Sequence, residues 1–229
     1  MIYTYMRFDA PMMSFGAPAV STHRPTQDYP GQSMITGLIG NALGYDRSEY
    51  DKLQRLQDSL TYGARRDQKG SVKETYQTAD LSEGGHLFAA RKSDNHAWTT
   101  SGQVVQRDGG TASGGNAQIR PEYLVRSAYT VAFTSHVDAE RIANAIQYPE
   151  RPLFIGRKTC LPASKLYVGQ ADHDSLEQAL KDFWPDGQET CQVWYPDDSG
   201  SIIAHDMRSW EDSVFTGQRL LKRETATSA

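Results

Sequence analysis

The stretch from Ser71 to Gln118 most constrains the fold, because it cannot supply a hydrophobic core. It holds few aliphatic residues and many of Gly, Ser, Thr and Asn. A structureless loop of this length is uncommon inside a compact domain. Two strand-like runs, His86–Ala90 and Trp98–Val105, flank the turn-like sequence Ser93-Asp94-Asn95. We therefore expect a projecting hairpin or arm at about 71–118, with the core built by the segments on either side.

The segments before the arm alternate between strand and helix periodicity. Ile2–Phe8 has the alternation of a half-buried strand. Ser21 to Gly44 is a basic, Pro-punctuated loop followed by a helix, with Ser33 as the expected N-cap and Gly44 as the C′ residue. A second helix at about 50–60 and a polar strand, Thr61–Lys69, follow. The first helix has an apolar face that we expect to be buried in the hydrophobic core. This face consists of Met34, Ile35, Leu38, Ile39, Ala42 and Leu43.

The glycines of the first helix leave two explanations open. Gly37 and Gly40 each cost about 1 kcal/mol in a helix interior, so a reason for them is expected. One explanation is close packing of the helix on a sheet. The other is the close approach of a ligand to the helix backbone. The local sequence is compatible with both.

The segments after the arm repeat the alternation. Tyr123–Phe133 is expected as a strand, Asp138–Tyr148 as a helix with Asp138 at its N-cap, and Leu153–Ile155 as a short strand. The order strand, helix, strand, arm, strand, helix, strand fits a ferredoxin-like βαββαβ unit with an insertion in its middle connection. The further expected elements are a strand at Lys165–Val168, a helix at Asp174–Trp184, a hairpin of Cys191–Tyr195 with Ser201–His205, and a frayed tail beyond Lys222.

These elements predict an α+β fold. Residues 1–158 are expected to form the ferredoxin-like domain, from which the arm projects as a β-hairpin. Residues 159–229 are expected to form a smaller C-terminal part that is rich in strands.

Charge and composition narrow the functional classes. The net charge of −4 argues against coating duplex DNA by bulk electrostatics, but it leaves room for a local basic surface. The sequence predicts no membrane span and no signal peptide, which favours a cytoplasmic location. Cys160 and Cys191 are expected as buried thiols in a reducing compartment rather than as a disulfide.

Catalytic and metal-binding motifs are not recognisable in the sequence. The histidines are scattered, and there is no CxxC pair, Walker loop or Gly-x-Ser-x-Gly elbow. We therefore expect neither a metal nor a cofactor. Metal-independent RNA cleavage stays open, because it needs only a base, an acid and a cation around a ribose 2′-hydroxyl.

Three segments are candidates for binding phosphate or single-stranded nucleic acid. Arg24 precedes the helix whose first turn holds Gln32 and Ser33, and a helix N-terminus favours an anion. Gly156-Arg157-Lys158-Thr159 places two cations beside a glycine that permits close backbone approach. The arm mixes cations with an aromatic ring at Arg91, Lys92, His96, Trp98 and Arg107. The alternatives are a plain N-cap, an ordinary surface charge pair and a solvated loop.

The motifs taken together resemble the CasD family, RAMP-type subunits of the type I-E CRISPR complex called Cascade. Arg7-Phe8-Asp9-Ala10-Pro11 to Gly16 is similar to the family's opening strand and turn. Arg24-Pro25-Thr26 with Gly37 to Gly44 resembles its most recognisable block, although Gln32 stands where Lys is common. Glu122-Tyr123-Leu124 and Phe154 to Cys160 resemble the strand that returns from the family's thumb and its Gly-Arg-Lys signature.

The resemblance implies a subunit that binds the 5′ handle of the crRNA without cutting it, beside CasC backbone subunits and the large subunit CasA. Target DNA would be engaged indirectly, through guide pairing. The alternative is a metal-independent endoribonuclease that processes the CRISPR repeat, as in type I-C systems. The residues expected to contact RNA are Arg24, Thr26, Gln27, Gln32, Ser33, Arg91, Lys92, Trp98, Arg107, Arg120, Arg157, Lys158 and Thr159.

Overall fold

An antiparallel sheet of seven strands forms the centre of the larger of two compact units. The computed structural model describes residues 1–19, 22–80, 96–98, 104–106, 116–182 and 190–227. The helices are α1 (Gln32–Ala42), α2 (Tyr50–Ser59), α3 (Ala139–Gln147) and α4 (Leu176–Asp182). The strands are β1 (Ile2–Asp9), β2 (Met12–Met13), β3 (His23–Arg24), β4 (Leu60–Gln68), β5 (Ser71–Glu74), β6 (Gln77–Asp80), β7 (His96–Trp98), β8 (Val104–Gln106), β9 (Asn116–Val125), β10 (Ala128–Ser135), β11 (Tyr167–Asp172), β12 (Thr190–Pro196), β13 (Ile202–Ser209) and β14 (Val214–Thr227).

The large sheet runs in the order β11-β1-β10-β4-β12-β14-β13, and all neighbouring strands are antiparallel. The larger unit comprises residues 1–17, 26–73 and 123–229. The strands of residues 159–229 therefore extend the same sheet as those of the N-terminal half. The expected boundary near residue 158 does not coincide with a boundary between compact units, because β11 pairs with β1 and β12 pairs with β4.

Both faces of the large sheet carry apolar side chains into a core. On one face, Met6 and Phe8 of β1 join a cluster that includes residues of α1 and α3. On the other face, Tyr3 and Tyr5 cluster with Leu180 of α4. The expectation that β1 is half-buried is therefore wrong, because α4 covers the side that the local sequence left to solvent.

Polar residues of β4 are also buried. Arg65 is fully buried, and its Nε lies 2.6 Å from Asp67 Oδ1, while its Nη1 donates to the carbonyl of Leu180 at 2.7 Å. The hydroxyl of Thr130 donates to Asp67 Oδ2 at 2.6 Å. These bonds satisfy the buried charges and tie α4 to the sheet. The polar strand predicted at Thr61–Lys69 thus belongs to the interior.

The smaller unit comprises residues 18–25 and 74–122. In it, β9 pairs with β6 in an antiparallel manner and with β3 in parallel. β7 and β8 pair with each other, with Ala97 opposite Val105. The single strand expected at Trp98–Val105 is therefore wrong, since this segment contributes to both strands of that pair. The expected strand His86–Ala90 and the turn Ser93-Asp94-Asn95 lie outside the described residues.

Several expected boundaries differ from the structure because strand pairing is decided by distant partners. Arg126 has a φ of 56°, in the left-handed region, and divides the strand predicted at Tyr123–Phe133 into β9 and β10. Leu153–Ile155 is not a strand, and the strand expected at Lys165–Val168 begins and ends later, as β11. β12 and β13 do not form a hairpin, because β14 lies between them. The tail beyond Lys222 continues β14 to Thr227 instead of fraying.

The helices follow the sequence closely. Four of the residues expected on the buried face of α1 are buried, and Met34 and Leu43 pack partly against the same cluster. A Cβ added at Gly40 would lie 2.6 Å from Leu53 Cδ2, so this glycine allows close packing of α2 on α1.

Asp138 precedes α3 as expected, and Gly44 has a φ of 76° after α1. Cys160 and Cys191 are buried and are not joined in a disulfide, as predicted. α4 spans Leu176–Asp182, and residue 184, where its end was expected, lies outside the described residues.

Candidate nucleic-acid interface

Segments that are far apart in sequence meet around residues 14–16 of the larger unit. The backbone N–H of Phe15 donates to Thr26 Oγ1 at 2.9 Å, and that of Gln27 donates to the Phe15 carbonyl at 2.7 Å. The N–H of Ser14 donates to the carbonyl of Ile155 at 3.3 Å. The opening turn, the segment that leads into α1 and the Gly-Arg-Lys loop are thereby joined through their backbones. We call residues 14–16, 26–27 and 155–160 the motif junction.

The Gly-Arg-Lys loop is closed by its own hydrogen bonds. The N–H of Ile155 donates to the Cys160 carbonyl, and the N–H of Cys160 donates to the Arg157 carbonyl, both at 2.8 Å. Gly156 has a φ of 88°, and a Cβ added there would lie 1.7 Å from the carbonyl oxygen of Ser14. Only glycine fits this position, because any side chain would collide with the opening turn. The glycine therefore allows the loop to lie directly against the opening turn at Ser14.

The two cations of the loop have different surroundings. The guanidinium carbon of Arg157 lies 4.8 Å from the ring centroid of Tyr123, which is itself buried. This stacking orients Arg157 beside the C-terminal end of β9. Lys158 and Thr159 are exposed. The loop therefore presents one oriented guanidinium, one solvated ammonium and a hydroxyl, all of which can donate to phosphate oxygens.

Thr26 and Gln27 also lie in the motif junction, although with different roles. The hydroxyl of Thr26 makes two hydrogen bonds with the backbone of Phe15. It accepts the N–H of Phe15 and donates to the carbonyl of Phe15 at 3.3 Å. Thr26 therefore holds the junction together. The side-chain oxygen of Gln27 is buried and lacks a hydrogen-bond partner among the described residues. Buried polar atoms normally have a partner, so this oxygen is an exception among the described residues.

The N-terminus of α1 differs from the expectation. The N-cap is Gly31 rather than Ser33, which lies inside the first turn. Gln32 is only 4% exposed, and its side-chain amide donates to the carbonyls of Gln57 and Leu60 at 3.0 and 3.2 Å. The side-chain donors of Gln32 are therefore buried and bonded within the protein, which leaves no exposed amide for the predicted contact with RNA. The prediction that Ser33 is the N-cap of this helix is therefore wrong.

An internal carboxylate occupies the position that was expected to hold a phosphate. Oδ2 of Asp206, on β13, accepts the backbone N–H of Gln32 at 2.8 Å. The same carboxylate pairs with Arg219, whose Nε and Nη2 lie 3.0 and 2.8 Å from its oxygens. Arg219 also stacks on Tyr62 at 4.3 Å. Burial raises the pKa of the Tyr62 hydroxyl, which donates to the carbonyl of Pro30 at 2.5 Å. Sequence analysis missed Asp206, although its alternation with Ala204 places both on the inward face of a strand.

The smaller unit holds two of the predicted cations on neighbouring strands. Arg24 on β3 and Arg120 on β9 are exposed, and His23 is the register partner of Arg120. Nε2 of His23 lies 2.9 Å from Glu122 Oε1, which fixes the imidazole beside them. Trp98 lies on β7, and Arg91, Lys92 and Arg107 lie outside the described residues. The structure thus gathers Thr26, Gln27, Arg157, Lys158 and Thr159 in the larger unit, and Arg24 and Arg120 in the smaller one.

Among the described residues, no group of His, Cys, Asp or Glu side chains has the arrangement of a metal site. No helix in this part of the chain combines the length and the hydropathy that a membrane span requires.

Known proteins show similarity in sequence and in fold. The family model described as CRISPR-associated protein (Cas_Cas5) matches residues 5–221. The chain is 25% identical over 189 residues to the CRISPR system Cascade subunit CasD of Escherichia coli (strain K12), which covers 81% of this chain and 78% of that protein. A chain from a solved CRISPR RNA-guided surveillance complex has a similar fold, with a TM-score of 0.70 and 19% identity over 99% of this chain and 90% of the other. A crystal structure of a Cas protein gives a TM-score of 0.66 and 20% identity over 99% and 95% of the two chains.

The sheet-dominated α+β fold matches the folds of these two solved structures. The family model identifies the chain as a CRISPR-associated protein. Within that class, the chain belongs to the Cas5 family, because the family model covers nearly its whole length. The similarity to CasD confirms the resemblance inferred from the sequence.

Proposed function

We propose that this chain is a non-catalytic crRNA-binding subunit of a type I-E Cascade complex and that it caps the 5′ handle of the guide RNA in antiviral defence. The observation that carries the proposal is the motif junction, where the three motif segments meet through backbone hydrogen bonds. Similarity to the Cascade subunit CasD supports the same assignment. The fixed loop of Arg157 and Lys158 is the surface on which the handle backbone would lie.

The geometry suits a short segment of RNA better than a long duplex. Gly156 brings the loop against the opening turn, so RNA that contacts the loop also approaches the backbone at residues 14–16. Arg157 would engage phosphate oxygens in a fixed orientation, whereas Lys158 would act as a mobile point charge. A local pair of cations is compatible with the net charge of −4, because only a few phosphates are neutralised.

The finer features of the fold form part of the same proposal. The strand order β11-β1-β10-β4, with α1 and α3 between successive strands, supports a ferredoxin-like RAMP domain. The smaller unit, with residues 74–122, would act as the thumb beside the guide. CasC backbone subunits and the large subunit CasA would be its protein partners, with target DNA engaged through the guide in the cytoplasm.

Binding of a labelled handle RNA tests the proposal. Replacing both Arg157 and Lys158 by Ala should weaken binding by a few kcal/mol and reduce the salt dependence of the affinity. Lys165→Ala is the matched control, because Lys165 is an exposed cation outside the motif junction. Fluorescence anisotropy at two salt concentrations measures both effects. An unchanged affinity of the double variant would remove these two residues from the site.

Cleavage of the repeat distinguishes the non-catalytic subunit from the alternative endoribonuclease. The purified chain is incubated with its CRISPR repeat RNA in EDTA, and the products are separated on a denaturing gel. We expect intact RNA. Specific cleavage at the handle boundary would establish metal-independent processing and refute the non-catalytic assignment.

A further inference from the structure

A second basic feature of the larger unit lies between α2 and α3 and takes no part in the motif junction. It is a groove with a volume of about 430 Å³. Leu43, Leu56 and Ile142 contribute apolar surface to its lining, and all three pack in or against the main hydrophobic core. Lys52, Arg55 and Arg141 also line it. We call this feature the α2–α3 groove.

Two of the cations converge on one aromatic ring of the groove. Nζ of Lys52 lies 5.3 Å and the guanidinium carbon of Arg141 lies 5.9 Å from the ring centroid of Tyr45. Such contacts hold the cationic groups close to the apolar surface instead of leaving them dispersed in solvent. The groove therefore combines an aliphatic surface with positive charge held beside it.

The charge of the groove is opposite in sign to that of the whole chain. Three cationic side chains, those of Lys52, Arg55 and Arg141, line the groove together with two carboxylates, those of Asp58 and Asp138. The whole chain, in contrast, has a net charge of −4. Lys52 pairs with Glu49, and Nη1 of Arg141 lies 3.8 Å from Asp138 Oδ2. Both cationic side chains are about half exposed, at 48% and 58%. Such exposed pairs contribute little stability, so carboxylates of a partner can replace them.

We propose that the α2–α3 groove binds an acidic, amphipathic helix of a partner protein. A helix laid between two helices buries apolar side chains at positions i, i+3 and i+4, which suits the aliphatic surface. Its flanking carboxylates would reach Lys52, Arg55 and Arg141. A nucleic acid fits less well, because stacking needs an open aromatic face, and the Tyr45 ring already carries two cations. The proposal is independent of the proposed RNA-binding function.

Synthetic peptides test the chemistry of the occupant. The probe is a fluorescein-labelled helical peptide of Leu, Glu and Ala with Leu at i, i+3, i+4 and i+7, and the matched control peptide has Lys in place of every Glu. Fluorescence anisotropy with the full chain should show the Glu peptide binding at least about tenfold more tightly than the Lys peptide. Equal affinities, or no binding of either peptide, would overturn the proposal.

Charge reversal locates the binding in the groove. The double variant Arg55→Glu/Arg141→Glu should reverse the preference between the two peptides, whereas Lys165→Glu should leave it unchanged. Circular dichroism should show that Arg55→Glu/Arg141→Glu is folded, and its binding of handle RNA should be unaffected. A preference that persists in the double variant would place the binding elsewhere and refute the assignment. Loss of handle RNA binding with intact folding would identify the groove as an RNA surface and equally refute it.

Discussion

The carboxylate of Asp206 accepts the backbone N–H of Gln32 at 2.8 Å, although the two residues are 174 positions apart in the sequence. The N-terminus of α1 is therefore satisfied by β13, a strand near the other end of the chain. Helix N-termini favour anions, and here the anion belongs to the protein itself. The resemblance to the CasD family implied an RNA contact at this point, and the structure provides an internal link that holds the β13–β14 ribbon to α1.

Removing this carboxylate should destabilise the protein. Asp206→Ala leaves Arg219 buried without its partner and removes the bond to the N–H of Gln32. Breaking a buried ion pair in this way costs about 3–5 kcal/mol. Urea unfolding followed by tryptophan fluorescence measures the loss. Asp198→Ala is the control, since Asp198 is exposed, and its unfolding free energy should stay within about 0.5 kcal/mol of the wild-type value.

Gly156→Ala should damage the motif junction. The added Cβ would collide with the Ser14 carbonyl, and the left-handed backbone adds strain of about 1–3 kcal/mol. We expect lower stability together with weaker handle RNA binding, because the loop must move away from the opening turn. Gly169→Ala is the control, since a Cβ there meets nothing within 4 Å. Wild-type RNA affinity in a folded Gly156→Ala variant would show that the position of the loop does not matter for binding.

Arg157 and Lys158 should respond differently to substitutions. Arg157→Lys keeps the charge but loses the planar stacking on Tyr123, which is worth about 0.5–1 kcal/mol at an exposed site. We expect it to lower both stability and RNA affinity. Lys158→Arg, which also keeps the charge, should leave stability unchanged and alter RNA affinity less, because the exposed side chain acts as a point charge. Thermal unfolding and anisotropy titrations measure the two effects, and equal losses from both substitutions would contradict the assigned roles.

Stability should fall in alkaline solution between pH of about 10 and 12. Burial raises the pKa of Tyr5 and that of Tyr129 to about 12, whereas a tyrosine in the unfolded chain ionises near pH 10. Between these values the unfolded state releases protons that the folded state retains, so rising pH favours unfolding. Absorbance at 295 nm with parallel circular dichroism measures the effect. Tyr129→Phe should show a smaller loss on going from pH 7 to pH 11, and an equal loss would exclude Tyr129 as a contributor.

The sequence predicted the elements whose signals are local. Periodicity located α1, α2 and α3 to within a few residues, because each helix buries one face. It also located the Gly-Arg-Lys loop, where Gly156 permits a close backbone approach, here that of the Ser14 carbonyl. The strand partners were less predictable. The hairpin of β12 with β13 was expected from the turn between them, but β14 separates them, because a turn sequence does not determine which strand pairs across it.

By itself, the sequence determined the helices, the buried face of α1, the two buried thiols and the set of motifs that marks a Cas5 protein. Only the tertiary structure decided that those motifs meet, that β1 is covered on both faces and that Asp206 fills the N-terminus of α1. The physical reason is that helices and caps depend on neighbours in the chain, whereas sheet order and the partner of a buried charge depend on residues that only folding brings together.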